Sequence, residues 1–309
     1  MEIVHGHRSA PAWPRGSVVA IGNFDGVHVG HRALAAMTRA LAAKHGAVPI
    51  ALTFDPHPSA LLSPKGAPTA LGSLARRAEL LGGAGLEAVV IEPFTRELAA
   101  FAPDAFIDEI VHGSLHARAI VVGYDFTYGA HRAGTVAQLR EHGARAGIEI
   151  AVVEPVEVGG EVASSTRVRA YLRDGDLGGA TRLLGRAWDV DGVVVHGAAR
   201  GRTIGTPTAN VAPDSDLAIK GGIYAVTLTP QGGRPLPGVA SLGTNPTFVT
   251  GGGLVLEVHV LDWSGDLYDR HVRVAFVERL RDEATFDSID ALIAQIERDK
   301  DQGRSIFAR

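Results

Sequence analysis

Two textures of hydrophobic patterning divide the chain. In the first half, short uninterrupted apolar runs alternate with stretches in which apolar residues recur every three or four positions. The runs at 18–21, 48–54, 88–91, 119–123 and 148–156 read as strands buried on both faces. Between them, Leu34, Met37 and Leu41 form one helical stripe that stops at Gly46, and 73–81 reads as a second helix. Pro103 opens a third, with Phe106, Ile107, Ile110 and Val111 as its buried face. Strands alternating with helices imply a parallel, doubly wound sheet with right-handed crossovers.

Around Gly185 the texture changes. Short β-rich runs at 190–196, 224–229, 239–242, 254–261 and 272–277, separated by turn residues, indicate a small antiparallel β-barrel. A terminal helix follows, capped by Ser288, with Ile289, Leu292, Ile293 and Ile296 on its apolar face. The expected fold class is α/β plus β, in two domains spanning residues 1–185 and 186–309.

The unusual chemistry starts where the first apolar run ends. Gly22-Asn23-Phe24-Asp25-Gly26-Val27-His28-Val29-Gly30-His31 joins a strand to a helix whose first turn carries two histidines. Residues three apart at a helix start share a face, and the open N–H groups there favour an anion. Two imidazoles over that end suit a phosphate chain that gains charge during reaction. The pattern is neither GxGxxG nor GxxxxGK[ST], so it signals neither a dinucleotide fold nor a Walker kinase.

Three further segments leave strand ends where open α/β sheets place ligands. Asp55-Pro56-His57-Pro58 is stiffened by two prolines; its histidine either points at substrate or caps the loop. The loop at 123–134 combines Asp125, Phe126 and Tyr128 with glycines, so aromatic faces and close backbone approach are both on offer. The loop either stacks on a planar ring or packs its own aromatics. After the hairpin turn at 158–161, Ser164-Ser165-Thr166-Arg167-Val168-Arg169 opens a helix with hydroxyls and two arginines, which reads as a cap or as a polyphosphate clamp.

In the second half, 192–211 carries Gly197, Arg200, Gly201, Arg202 and Gly205 around a turn able to wrap phosphates with backbone N–H groups. Pro207 stiffens its exit. Thr208 and Asn210 then alternate onto one face of an extended segment, as neutral oxygen donors adequate for Mg²⁺.

Composition narrows the classes. A net charge of −4 gives no reason to expect a nucleic-acid partner. With no cysteine, disulfides, thiol catalysis and cysteine metal ligands are excluded. No run has transmembrane length and the first 17 residues lack a signal-peptide core, so a cytoplasmic protein without membrane partners is expected. Nothing in the composition reports an oligomeric state.

The Gly22–His31 segment resembles the HxGH signature of the nucleotidylyltransferase superfamily, and Ser164–Arg169 its second phosphate signature. The 192–211 segment resembles the PTAN signature of riboflavin kinases. Further matches are 221–226, 243–248, Glu257-Val258-His259-Val260-Leu261-Asp262, 266–268, 276–281 and Phe286. Together, in this order, they resemble the prokaryotic bifunctional riboflavin kinase/FMN adenylyltransferase family, the FAD synthetases. The resemblance implies a Rossmann-like nucleotidylyltransferase domain followed by a riboflavin kinase barrel, with riboflavin, FMN and ATP as small-molecule substrates. Phosphorylation of riboflavin yields FMN, and adenylylation of FMN yields FAD and pyrophosphate, both with Mg²⁺.

Carried onto this sequence, the resemblance implies site residues. His28, His31 and Arg167 act on the ATP phosphates of adenylyl transfer, where Gly22, Asn23, Phe24, Asp25, Gly30, Ser164, Ser165 and Thr166 bind ATP. His57, Pro58, Asp125, Phe126 and Tyr128 bind FMN. In the kinase, Gly197, Arg200, Gly201, Arg202, Gly205, Pro207 and Thr208 bind ATP, and Thr208 and Asn210 hold the metal. Glu257 is the general base, with His259 as its rival on the same strand face. Thr206 and Asp269 depart from the family's usual Phe and Gly. Two other readings stay open on the residues alone: an adenylyltransferase for another phosphate monoester, and a barrel that binds flavin for regulation without chemistry.

Overall fold

The structure is a computed structural model that describes residues 1–197, 201, 204–244 and 254–308. It forms two compact units, one of Met1–Pro68 with Leu74–Ser164, the other of Thr69–Ser73 with Ser165–Arg309.

The first unit contains β1 (Glu2–His5), β2 (Ser17–Ile21), α1 (Val29–His45), β3 (Val48–Asp55), α2 (Pro58–Leu62), α3 (Leu74–Gly83) and β4 (Ala88–Pro93). It continues through α4 (Arg96–Ala99), α5 (Pro103–Ala105, extended as a π-helix over Phe106–Ser114), β5 (Ala117–Gly123), α6 (Val136–Ala146) and β6 (Glu149–Val153). A hairpin of β7 (Glu157–Val158) and β8 (Glu161–Val162) turns at Gly159 and Gly160, both left-handed, as the sequence predicts. The six-stranded sheet is parallel throughout, in the order β1-β4-β3-β2-β5-β6.

Strand alternation splits β2 between two cores. Val19 and Ile21 pack with Ile50, Leu52, Ile107 and Ile110 on one face, and Val18 and Ala20 with Leu34, Ala51 and Leu81 on the other. This double burial explains why the strand reads as a continuous apolar run. The strand order reverses between β2 and β5, so the loops leaving those two strands border the switch-point crevice.

Several elements differ from expectation. β1 is an additional edge strand with only Val4 buried, and α6 is an additional helix fixed by a Thr135–Gln138 capping box. In α1 the buried set is Leu34, Ala35, Thr38, Leu41 and Ala42, while Met37 falls off the stripe and is 39% exposed. Thr38 takes the inward position by donating its hydroxyl to the Leu34 carbonyl.

The second unit begins with α7 (Ser165–Asp174) and α8 (Leu177–Leu184). A closed six-stranded barrel follows: β9 (Trp188–Val195), β10 (Ala209–Pro213), β11 (Gly222–Pro230), β12 (Leu236–Thr244), β13 (Leu254–Val260) and β14 (His271–Arg281). Pairing is antiparallel in the order β10-β13-β12-β11-β14-β9. Closure leaves no free edge among these strands. Leu256, Val258, Tyr224, Val226, Trp188 and Phe276 fill the interior.

The terminal helix, α9 (Ile289–Phe307), starts at the Ser288 cap as expected. Its apolar residues are not its most buried ones. Ile289 is 68% exposed, whereas Asp299 and Lys300 are buried.

Candidate active sites

In the first unit, His28 is the N-cap of α1, and its Nδ1 accepts the His31 backbone N–H at 3.4 Å. That cap aligns the two imidazoles, which stack with centroids 3.7 Å apart and planes at 21°. Phe24 meets His31 edge-on at 5.3 Å. A Cβ at Gly30 would come within 3.0 Å of the His28 ring, so glycine lets the stack form. The turn itself is tightly wound, with Phe24, Gly26 and Val27 at φ 49°, 76° and 41°.

Burial, the neighbouring His28 and then Arg77 hold the His31 imidazole well below its ordinary pKa. His31 Nδ1 is buried and hydrogen-bonds to no described group. Behind the turn, Arg77 of α3 donates to Thr53 Oγ1 at 3.4 Å, and its Nη2 lies 4.0 Å from the Asp25 carboxylate. Sequence reasoning missed Arg77, because an arginine in an amphipathic helix reads as solvated.

The expected FMN residues sit around the carboxyl ends of β3 and β5. His57 caps α2, accepting the Ser59 N–H at 3.1 Å, and Pro58 is the first residue of that helix. Phe126 and Tyr128 stack at 5.4 Å and 11°, and Tyr128 also packs on Phe106. Tyr128 is thus largely a core side chain, with Tyr124 the exposed ring of this loop. The Tyr128 hydroxyl, like His31 Nδ1, is buried without a described partner. Burial, then Asp104, raises its pKa. Asp125 lies beside Gly123 at the loop's start.

Ser164 ends the stretch grouped with the first unit, and Ser165, Thr166 and Arg167 form the first turn of α7 in the second. Arg169, the other arginine of that expected clamp, donates Nε to the Thr69 carbonyl at 2.7 Å.

On the barrel, Leu256 and Val258 point inward, which turns Glu257 and His259 to the outer face of β13. Glu257 pairs with Asn210 of β10 on one side and Ser241 of β12 on the other. Thr208 immediately precedes β10. Thr208, Asn210, Ser241, Glu257 and His259 all line a cavity of about 580 Å³. Its remaining wall is largely apolar, formed by Ile223, Val239, Phe286, Leu292 and Ile296, so the apolar stripe of α9 faces this cavity.

Arg281 and Asp299 close one side as a two-point ion pair, with Nη2–Oδ2 at 2.7 Å and Nε–Oδ1 at 2.9 Å. His259 Nδ1 donates to the Pro207 carbonyl at 2.8 Å, leaving Nε2 as its only site for accepting a proton. Burial lowers the His259 pKa, partly offset by that bond.

A second cavity of about 470 Å³ is bounded by Val194, Pro207, Thr208, Val258, Trp263 and Tyr268. Thr208 therefore borders both spaces. Glycines shape the loop between them. A Cβ at Gly197 would overlap the Asn210 amide, one at Gly201 would overlap the Thr206 carbonyl, and Gly205 is left-handed at φ 74°. Arg200 and Arg202 lie outside the described residues. Thr206 is buried against the first cavity, and Asp269 is left-handed at φ 59°, a conformation that suits the glycine usual there.

Comparison with known proteins matches both halves. The FAD synthetase family model covers residues 10–167 and the riboflavin kinase model residues 184–307. Relatives described as bifunctional riboflavin kinase/FMN adenylyltransferase include those of Escherichia coli K12 (39% identity) and Pseudomonas fluorescens (38%). The first alignment spans 99% of this chain and 98% of its relative; the second spans 100% and 98%. The Bacillus subtilis relative is 33% identical over 100% of this chain and 98% of its own.

A Streptococcus pneumoniae crystal structure described as a macrolide-efflux protein superposes with TM-score 0.88 and 32% identity, covering 98% of this chain and 99% of that one. Among the described residues here, no helix is long and apolar enough to cross a membrane. Matched in both halves and over nearly its whole length, the chain belongs to the bifunctional riboflavin kinase/FMN adenylyltransferase family.

Proposed function

We propose that the family's two reactions use two separate sites in this chain, adenylylation of FMN in residues 1–185 and phosphorylation of riboflavin in residues 186–309. The orphaned His31 Nδ1 carries the first assignment. A buried ring nitrogen without a partner is costly, and a phosphate oxygen of ATP at the start of α1 satisfies it. The FMN phosphate attacks the α-phosphorus of ATP and pyrophosphate leaves. His28 and His31 stabilise charge on the phosphates, so positioning and electrostatics supply the catalysis without a covalent enzyme intermediate. The loops after β3 and β5 receive FMN through His57, Pro58, Asp125 and Phe126, with the largely buried Tyr128 backing the Phe126 ring from the core.

In the barrel, the apolar cavity under α9 accepts the flavin ring and the cavity at Trp263 and Tyr268 accepts ATP. The shared border at Thr208 supports this reading, because phosphoryl transfer needs donor and acceptor to meet at one point. Glu257 accepts the proton of the riboflavin 5′-hydroxyl as the P–O bond forms. Thr208 and Asn210 offer hard, neutral oxygens beside Glu257, a set that fits Mg²⁺ whose other ligands are phosphates and water. When bound there, the cation neutralises charge on the transferring phosphate. Use of ATP as co-substrate supports a cytoplasmic location, with small molecules as partners.

The test is incubation of the full chain with riboflavin and Mg-ATP, followed by chromatographic separation of the flavins. FMN that converts to FAD is expected. Absence of turnover would favour a binding-only barrel, and turnover of supplied FMN alone an inactive kinase.

A further inference from the structure

Arg77 is 9% exposed, so its guanidinium has lost most of its hydration, and the groups around it include Thr53 of β3 and Asp25 of the turn that bears the two histidines. Nη1 donates to Thr53 Oγ1, and Thr53 Oγ1 donates to the Asn23 carbonyl at 3.2 Å. Nη2 faces Asp25 at 4.0 Å. Asn23 and Asp25 flank Phe24, one of two non-glycine residues held left-handed in this turn, the other being Val27. Such backbone persists only where its surroundings impose it. Thr53 is fully buried on β3, so the brace runs from α3 through the sheet into the turn.

The geometry points to Arg77 as a positioning residue of adenylyl transfer, bracing the 23–27 turn through Thr53 and Asp25 and supplying fixed positive charge behind the stacked histidines. This rests on His28 and His31 being the phosphate-facing pair. The charge has a consequence at His31, whose protonation is opposed by burial, by His28 at the start of the same helix and by Arg77 from α3. Asp25 is the anionic group in the same cluster. A neutral His31 donates one N–H to phosphate, while Arg77, which does not titrate, carries the permanent charge.

The experiment compares the full-length Arg77→Met and Arg77→Lys variants. FAD formation from supplied FMN and ATP is followed as kcat and kcat/KM between about pH 5 and 8. Arg77→Met is expected to lower kcat by about 10²-fold. It also moves the acid limb of kcat/KM to higher pH, because His31 then protonates nearer its ordinary value. Arg77→Lys keeps the charge and so keeps the limb, but recovers only part of kcat, because an ammonium lacks the fork that reaches Thr53 and Asp25 together. Circular dichroism and a cooperative denaturant transition of each variant report whether the first unit stays folded.

Wild-type kcat and an unmoved limb in Arg77→Met would overturn the proposal. So would a loss of kcat with the limb unmoved and no recovery in Arg77→Lys, which marks a purely structural residue. If Arg77→Met fails to fold, a displaced limb in Arg77→Lys overturns it alone. Normal FAD formation by His31→Ala would instead remove the reading of the histidine pair on which it rests.

Discussion

Glu257 and Asn210 stand directly opposite each other across the β13–β10 ladder. Side chains in such a pair start about 5 Å apart, so backbone register alone brings a carboxylate and a carboxamide to one point of the cavity wall. Glu257→Gln keeps this shape and removes the base. Riboflavin phosphorylation should fall by ~10²–10⁴ with flavin binding little changed, as measured by initial rates and flavin titration.

His259 is expected to matter differently. Its bond to the Pro207 carbonyl orients the segment that leads into Thr208. His259→Ala should raise the ATP and Mg²⁺ concentrations the kinase needs while leaving a measurable kcat. A loss in His259→Ala that matches or exceeds that in Glu257→Gln would move the base to His259.

Gly197 tests the metal assignment without touching a donor atom. A methyl group there overlaps the Asn210 amide, so alanine pushes against that side chain. Gly197→Ala should raise the Mg²⁺ concentration needed for riboflavin phosphorylation and leave FMN adenylylation unchanged. An unchanged Mg²⁺ titration would separate Asn210 from the metal.

His31 predicts how stability responds to pH. The unfolded chain binds a proton at this residue around its ordinary pKa of 6.5, whereas the folded protein resists protonation. The unfolded state therefore gains protons first as pH falls. The stability contribution is intact above about pH 6.5 and declines below it, until the lowered folded value is passed. Denaturant unfolding at about pH 7.5 and 5.5 should show a smaller loss for His31→Asn than for the parent protein.

Asp269 predicts a gain. An L-residue in the left-handed region costs roughly 1–2 kcal/mol, partly offset for aspartate, and glycine removes that strain at some cost in unfolded-state entropy. Asp269→Gly should raise barrel stability by up to about 1 kcal/mol, read as a later denaturation midpoint.

What the sequence made legible followed from double burial and from backbone chemistry. Strands such as 18–21 announce themselves because both faces are packed, and the Gly22–His31 turn because its glycines and histidines have few other reasons to coincide. The edge strand β1 buries a single side chain, and α6 is dominated by alanine and polar residues, with Leu139 the one large apolar side chain among its buried residues, so neither leaves a periodic signal. β10 showed itself as an extended segment but not as a barrel strand, because polar Asn210 occupies its outer face.

The apolar stripe of α9 was visible, but its lining of a cavity was not, since periodicity does not distinguish a core from a ligand wall. Arg77 and the Arg281–Asp299 pair were hidden for the opposite reason. Charged residues read as solvated until the fold shows what surrounds them.

Two separate sites in one chain allow FMN made by one molecule to be adenylylated by another. The most direct measurement mixes full-length Glu257→Gln with full-length His31→Ala and follows FAD formation from riboflavin and Mg-ATP. Each variant alone should make little FAD, the first stopping at riboflavin and the second accumulating FMN, while the mixture restores FAD synthesis. Substantial FAD from either variant alone, or a mixture in which FMN accumulates without conversion, would show that the two reactions do not run at separate sites built on Glu257 and His31.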